Sequence, residues 1–195
     1  MYDWANSVYN LVITSTMFPA YYEEVTRGDS GTGVVRFLGR DFVNTALYNY
    51  ALGIAFLIVA ILSPILSSIA DFKGNKKHFM RFFAILGSIS CSMLFFFRGE
   101  NLNLGIGMII LACIGFWGSL VFYNSYLPEI AAEEDRDRIS AKGFSMGYIG
   151  SVILQLVCFV ILFNKEWFGF TTGDALRSSF LLVGIWWFLF SLIPL

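Results

Sequence analysis

Asp3, Asn6, Ser7, Asn10 and Thr14 recur at spacings of three and four residues near the start of the chain. On a helix, that spacing puts all five on one face. The residues around them are largely apolar, and hydrocarbon cannot satisfy amide, hydroxyl or carboxyl groups, so this face must meet protein or water. Two readings are open. One is hydrogen bonding between helices, worth about 0.6 kcal/mol per contact on average. The other is the wall of a substrate cavity, with Asn6, Asn10 and Thr14 as contacts. Asp3 lies closest to the end of the face, either as a hydrated interfacial acid or as a proton-coupling acid. In a later apolar run, Gly143, Gly147 and Ser151 stand four apart with Gly150 beside them. Small residues at that spacing let two helix backbones approach closely, and smooth contacts of this kind also permit rocking. Gln155, one turn further along that face, is either a substrate contact or a helix–helix hydrogen bond.

Catalytic chemistry finds less support. The chain has one histidine, His78, beside Lys76 and Lys77, and its acids are scattered. A membrane-embedded enzyme would need clustered acids for a metal, or a nucleophile with a histidine base. Cys91, Cys113 and Cys158 fall inside apolar runs, far apart, and read as small buried hydrophobes. No metal site and no cofactor is expected. The string Gly28-Asp29-Ser30-Gly31-Thr32-Gly33 lacks the Gly-Lys-Ser/Thr ending of a phosphate loop and reads as plain loop, so direct drive by ATP is not expected. A non-transporting membrane scaffold remains a further alternative.

The elements that position these residues follow from composition. Of 195 residues, 57% are hydrophobic and 14% charged, with 21 phenylalanines and a mean hydropathy of +0.68. Soluble domains carry about 25% charged residues. A net charge of −1 offers no electrostatic footprint for nucleic acid. The class left is an all-α polytopic membrane protein. About 20 apolar residues cross a bilayer, and six segments qualify: about 2–22, 45–70, 79–97, 104–126, 143–163 and 179–195. The runs are continuous, which disfavours barrel strands. The stretch 23–44 is expected to be a turn-rich loop, and Pro128 to end the fourth span. No cleavable leader is expected, since Met1 is followed by Tyr2, Asp3 and Trp4.

Six spans put both ends on one side, together with the segments around residues 71–78 and 127–142. Those segments hold Lys73, Lys76, Lys77, Arg136, Arg138 and Lys142, and with Arg81 just beyond the first they account for seven of the 13 basic residues. The bias places both termini in the cytoplasm.

The turn after the second span reads Ser67-Ser68-Ile69-Ala70-Asp71-Phe72-Lys73-Gly74-Asn75-Lys76-Lys77. Gly74 allows a sharp reversal. Asp71 sits near a helix C-terminus, where the dipole disfavours its charge by about 0.3–1 kcal/mol. The string resembles the signature loop of the major facilitator superfamily: Gly, three residues, Asp, two residues, Gly, then basic residues. Ser67 stands at the first Gly, Asp71 and Gly74 match, Asn75 replaces the first basic residue, and Lys76 and Lys77 keep the next two. Two further strings resemble the vacuole-effluxer branch, which exports amino acids during autophagy and has many bacterial relatives. They are Tyr2-Asp3-Trp4-Ala5-Asn6-Ser7, with Phe18-Pro19 downstream, and Tyr123-Asn124-Ser125-Tyr126-Leu127-Pro128-Glu129-Ile130-Ala131, followed by Ile139 to Phe144 and Gly147 to Gly150. The resemblance implies a secondary transporter working by alternating access and exporting small solutes such as amino acids, with proton coupling as an option. It implies twelve spans, so that this chain is the N-terminal six-helix half, in a bacterial inner membrane, facing a C-terminal half. It also implies that Asp71, with Gly74, Lys76 and Lys77, is a conformational latch. Glu129, Arg136 and Arg138 either join that latch or form scattered surface pairs.

The orientation has a direct test. With Cys91, Cys113 and Cys158 replaced, a cysteine put at Asn75 should resist an impermeant thiol reagent in intact cells, and one at Ser30 should react. The opposite pattern would invert the topology.

Overall fold

A computed structural model describes residues 2–27 and 33–194, and within them every side chain except those of Asp71 and Lys73. The Gly28–Thr32 part of the glycine-rich string lies outside the described residues.

The first helix, α1 (2–27), joins Tyr2–Val8, a π-helical middle Tyr9–Met17, and Phe18–Arg27 without a break. The wider turn shows in its bonds. The Phe18 N–H donates to the Ile13 carbonyl, five residues back. Ser15 and Thr16 hydroxyls donate to the Asn10 and Leu11 carbonyls, both at 2.8 Å. The helix outlasts the expected 2–22, because its last turns are amphipathic: Tyr21 and Tyr22 are buried while Glu23 and Arg27 pair on the surface at 2.5 Å.

The expected loop after it contains a hairpin, β1 (Val34–Phe37) and β2 (Arg40–Val43), antiparallel with Val34 opposite Val43. Leu38 and Gly39 take φ of 49° and 80°. Two positive φ values in a two-residue connection match the twist of antiparallel strands.

Then follow α2 (Asn44–Lys73), α3 (Lys76–Met93, continued by a 3-10 turn at Leu94–Phe96), α4 (Leu102–Ser125), α5 (Arg136–Phe163) and α6 (Thr172–Ser191). Gly74 ends α2 with φ 64°. Leu127–Ile130 forms a separate short turn after α4, with Pro128 inside it. Several bounds differ from the apolar runs. α5 starts at Arg136 rather than 143. α6 starts at Thr172 rather than 179, and ends at Ser191 rather than running to 195. Apolarity marks the part that sits in lipid, whereas caps mark where a helix begins. Thr171 caps α6 by accepting from the Asp174 N–H, and Asp174 bonds back to the Thr171 N–H.

Among the described residues five helical stretches are long and apolar enough to cross a membrane; α1 is not one of them, and its polar face, with Asp3, Asn6 and Asn10, lowers its apolarity. The secondary structure is that of an all-α polytopic membrane protein with one small hairpin.

Packing is tightest where glycines face backbone. A Cβ on Gly115 of α4 would lie 2.5 Å from the Cα of Gly87 on α3, and one on Gly184 of α6 would lie 2.6 Å from the Ser88 carbonyl. Trp187 of α6 is fully buried against Tyr9 and Phe116. The three cysteines are also buried and free. By contrast, only 6% of the apolar window of α2 is buried, with Ile54, Leu57, Ile61 and Ile65 exposed.

Gly115→Ala should therefore destabilise the bundle by about 1–3 kcal/mol, the usual cost of overpacking. Gly107→Ala, with nothing within 4 Å of the new methyl, should not. Thermal unfolding in detergent checks the pair, and equal midpoints would contradict this packing.

Candidate functional site

α5 lies against α1 along its small residues. A Cβ on Gly143 would come 2.4 Å from Asp3 Oδ2, one on Gly147 2.4 Å from Ser7 Oγ, and one on Gly150 3.1 Å from the Trp4 ring. Ser151 is buried, and its hydroxyl donates to the Gly147 carbonyl at 2.7 Å. A larger residue at Gly143, Gly147 or Gly150 would displace α1 or the side chains it presents to α5.

Beside this contact lies a cavity of about 330 Å³ between α1, α4 and α5. From α1 it takes Asp3, Asn6, Ser7, Asn10, Leu11 and Ser15. From α4 it takes Phe116, Trp117, Leu120 and Asn124, and from α5 Phe144, Tyr148 and Ser151. Asp3 is the one charged residue in that lining. It is 3% exposed and accepts a hydrogen bond from the Tyr123 hydroxyl. Asn6 is 1% exposed; its Oδ1 accepts from Ser7 at 3.4 Å, and its Nδ2 has no partner among the described residues. A buried amide donor left this way costs about 1–3 kcal/mol unless water or a ligand meets it. Asn10, Leu11 and Ser15 reach the cavity from the π segment, a geometry that recurs at functional sites.

The expected site residues divide. Asn6, Asn10 and Asp3 share the cavity. Thr14 and Gln155 do not line it; the Thr14 hydroxyl and both polar atoms of the Gln155 amide are buried without a partner among the described residues. Thr14 falls off the cavity face because the π turn advances the register by about one residue, which a 3.6-residue spacing does not anticipate. Tyr123, Asn124, Trp117 and Tyr148 received no role from the sequence. The signal for Tyr123 was the isolated acid at Asp3, which needs a donor wherever it is buried.

At the turn between α2 and α3, the Asp71 side chain lies outside the described residues. Lys76 Nζ meets Glu129 Oε1 at 2.6 Å and ties the start of α3 to the Leu127–Ile130 turn. Among the described residues, neither Arg136 nor Arg138 pairs with Lys76 or Glu129. Arg136 donates to the Ala131 carbonyl at 3.4 Å, and Arg138 pairs with Asp135 at 2.9 Å, three residues away. Glu129 is half exposed, so its pair with Lys76 contributes about 0.2–1 kcal/mol.

Fold and cavity together define a polytopic α-helical membrane protein with a cavity of about 330 Å³ that polar and apolar side chains line together. The chain belongs to the vacuole effluxer Atg22-like family, whose profile matches residues 1–195. It is 35% identical over 194 residues to the uncharacterized MFS-type transporter YxiO of Bacillus subtilis, covering 98% of this chain and 44% of that protein. It is 25% identical to autophagy-related protein 22-2 of Neosartorya fischeri, covering 85% of this chain and 37% of that one. The corresponding protein of Aspergillus fumigatus is 27% identical over the same shares. The chain thus spans less than half the length of these curated relatives. No solved structure matches it.

Proposed function

We propose that this chain forms one wall of an alternating-access secondary transporter that exports small polar organic solutes, amino acids among them. The observation that carries the proposal is the cavity between α1, α4 and α5, where Asp3, Asn6, Ser7, Asn10 and Asn124 face one chamber inside an otherwise apolar bundle. Burying amides and a carboxyl in a membrane is costly, and a chamber for polar solute is what repays it. Family membership and relatives more than twice as long support a partner half, absent from this chain, that completes the site at the interface.

In this reading Asn6 and Asn10 hydrogen-bond the solute, with Trp117 and Tyr148 flanking it. Asp3 takes up and releases the coupled proton. Its bond from Tyr123 holds the carboxylate in place at the cytoplasmic end of α1. Gly143, Gly147 and Gly150 let α5 slide against α1 as the chamber changes its opening. Asp71 and Gly74, with Lys76 bridged to Glu129, dock the turn between α2 and α3 against the other half and favour one of the two states.

Two measurements test this. Purified and reconstituted alone, residues 1–195 should show no saturable uptake of amino acids, because one wall encloses no site. In the full-length protein, Asp71→Asn should leave expression and folding intact yet change transport, by shifting the balance of states roughly 5- to 150-fold. Saturable flux by the lone chain would overturn the two-wall account, and unchanged transport by Asp71→Asn would overturn the latch.

A further inference from the structure

A second hollow, of about 470 Å³, opens at the end of the bundle where the turn between α2 and α3 meets the start of α5. Its walls are Tyr2 of α1, Met80 of α3, Tyr126 just past α4, and Met146 of α5, and two cations reach it from different segments: Lys77 and Lys142. Lys77 lies in the first turn of α3, and Lys142 two turns into α5. Among the described residues no carboxylate lines the hollow. Three acids of this region have partners of their own: Glu129 meets Lys76, Asp135 meets Arg138, and Asp3 accepts from Tyr123 on the side of the solute cavity. Among the described residues neither Lys77 nor Lys142 has an ion-pair partner.

We propose that this hollow binds the phosphate headgroup of an anionic phospholipid, with Lys77 and Lys142 on the phosphate and the first methylenes of the chains against Met80, Met146, Tyr2 and Tyr126. Two ammonium groups facing one hollow repel each other, and an anion between them removes the repulsion. The depth of the site selects a lipid over a soluble anion. Lys77 begins a membrane-crossing helix, Tyr126 falls near the end of another, and Pro194 follows the last turn of a third. These positions lie at headgroup level, where basic clusters attract anionic lipid. The walls change from exposed lysines to buried Met80 and Tyr2 going inward, which is the polarity gradient of a lipid molecule. The hollow shares no lining residue with the solute cavity, although Tyr123 and Gly143 in its wall abut Asp3 of that cavity; lipid retention is read without transport.

The test uses the purified chain in a neutral detergent. Phosphatidylglycerol, phosphatidylcholine and glycerol 3-phosphate are titrated separately, with thermal unfolding and native mass spectrometry as readouts. Phosphatidylglycerol should stabilise the chain and be retained, and the other two should not. Lys77→Gln with Lys142→Gln should weaken that retention ~30-fold, the effect of losing two juxtamembrane cations. Both lysines are exposed, and the Lys77→Arg/Lys142→Arg pair, which keeps the charge, should restore binding. Equal retention of phosphatidylcholine, equal stabilisation by glycerol 3-phosphate, or undiminished retention by the glutamine pair would each overturn the proposal.

Discussion

A polar helix face inside a membrane must be met by something other than lipid, and the rest of this structure depends on how α1 meets that demand. Asp3, Asn6, Ser7 and Asn10 cannot be left in hydrocarbon. α5 comes close enough to cover part of that face only because Gly143, Gly147 and Gly150 carry no Cβ. At 2.4 Å from Asp3 and Ser7, a methyl group there would displace α1 or its side chains. The uncovered remainder becomes the chamber, closed from the third side by Trp117, Leu120 and Asn124 of α4.

The π segment belongs to the same solution. Nine residues of wider turn, Tyr9–Met17, let Asn10 and Ser15 point to the chamber while Tyr9, Ile13 and Met17 stay in the core. The Ser15 and Thr16 hydroxyls take up carbonyls five residues back, so the irregular stretch keeps its backbone acceptors occupied. Among the described residues, four buried side-chain atoms on this helix have no hydrogen-bond partner, the Tyr2, Tyr9 and Thr14 hydroxyls and the Asn6 amide nitrogen, and four more lie on α5 and α6. Buried donors in such numbers are normally met by water or a ligand.

Much of this was legible in the amino acids. The polar stripe of α1, the small-residue stripe of α5 and the reversal at Gly74 are written in spacings of three and four and in single glycines, where geometry follows from residue type. Class was legible from apolarity. What was not legible lies where two segments distant in sequence meet. Tyr123 reaches Asp3 across 120 positions, and Lys76 reaches Glu129 across 53. The displacement of Thr14 needed the π turn, which no spacing rule announces. The hairpin at Val34–Phe37 and Arg40–Val43 had a signal, β-branched and aromatic residues around Leu38-Gly39. The glycines that precede it, at 28, 31 and 33, carry the opposite signal, that of loop.

The central claim is that the polar face of α1 opens onto a water-filled chamber and is not merely glued to its neighbours. Thiol reactivity measures this directly, because a thiol in hydrocarbon does not ionise and does not react. With the three native cysteines replaced, Asn10→Cys and Leu57→Cys are each placed in the chain, reconstituted in lipid, and exposed to a small water-soluble methanethiosulfonate. The account predicts rapid modification at position 10 and little at position 57, which lies on the exposed apolar face of α2. Equal and slow reaction at both positions would contradict it.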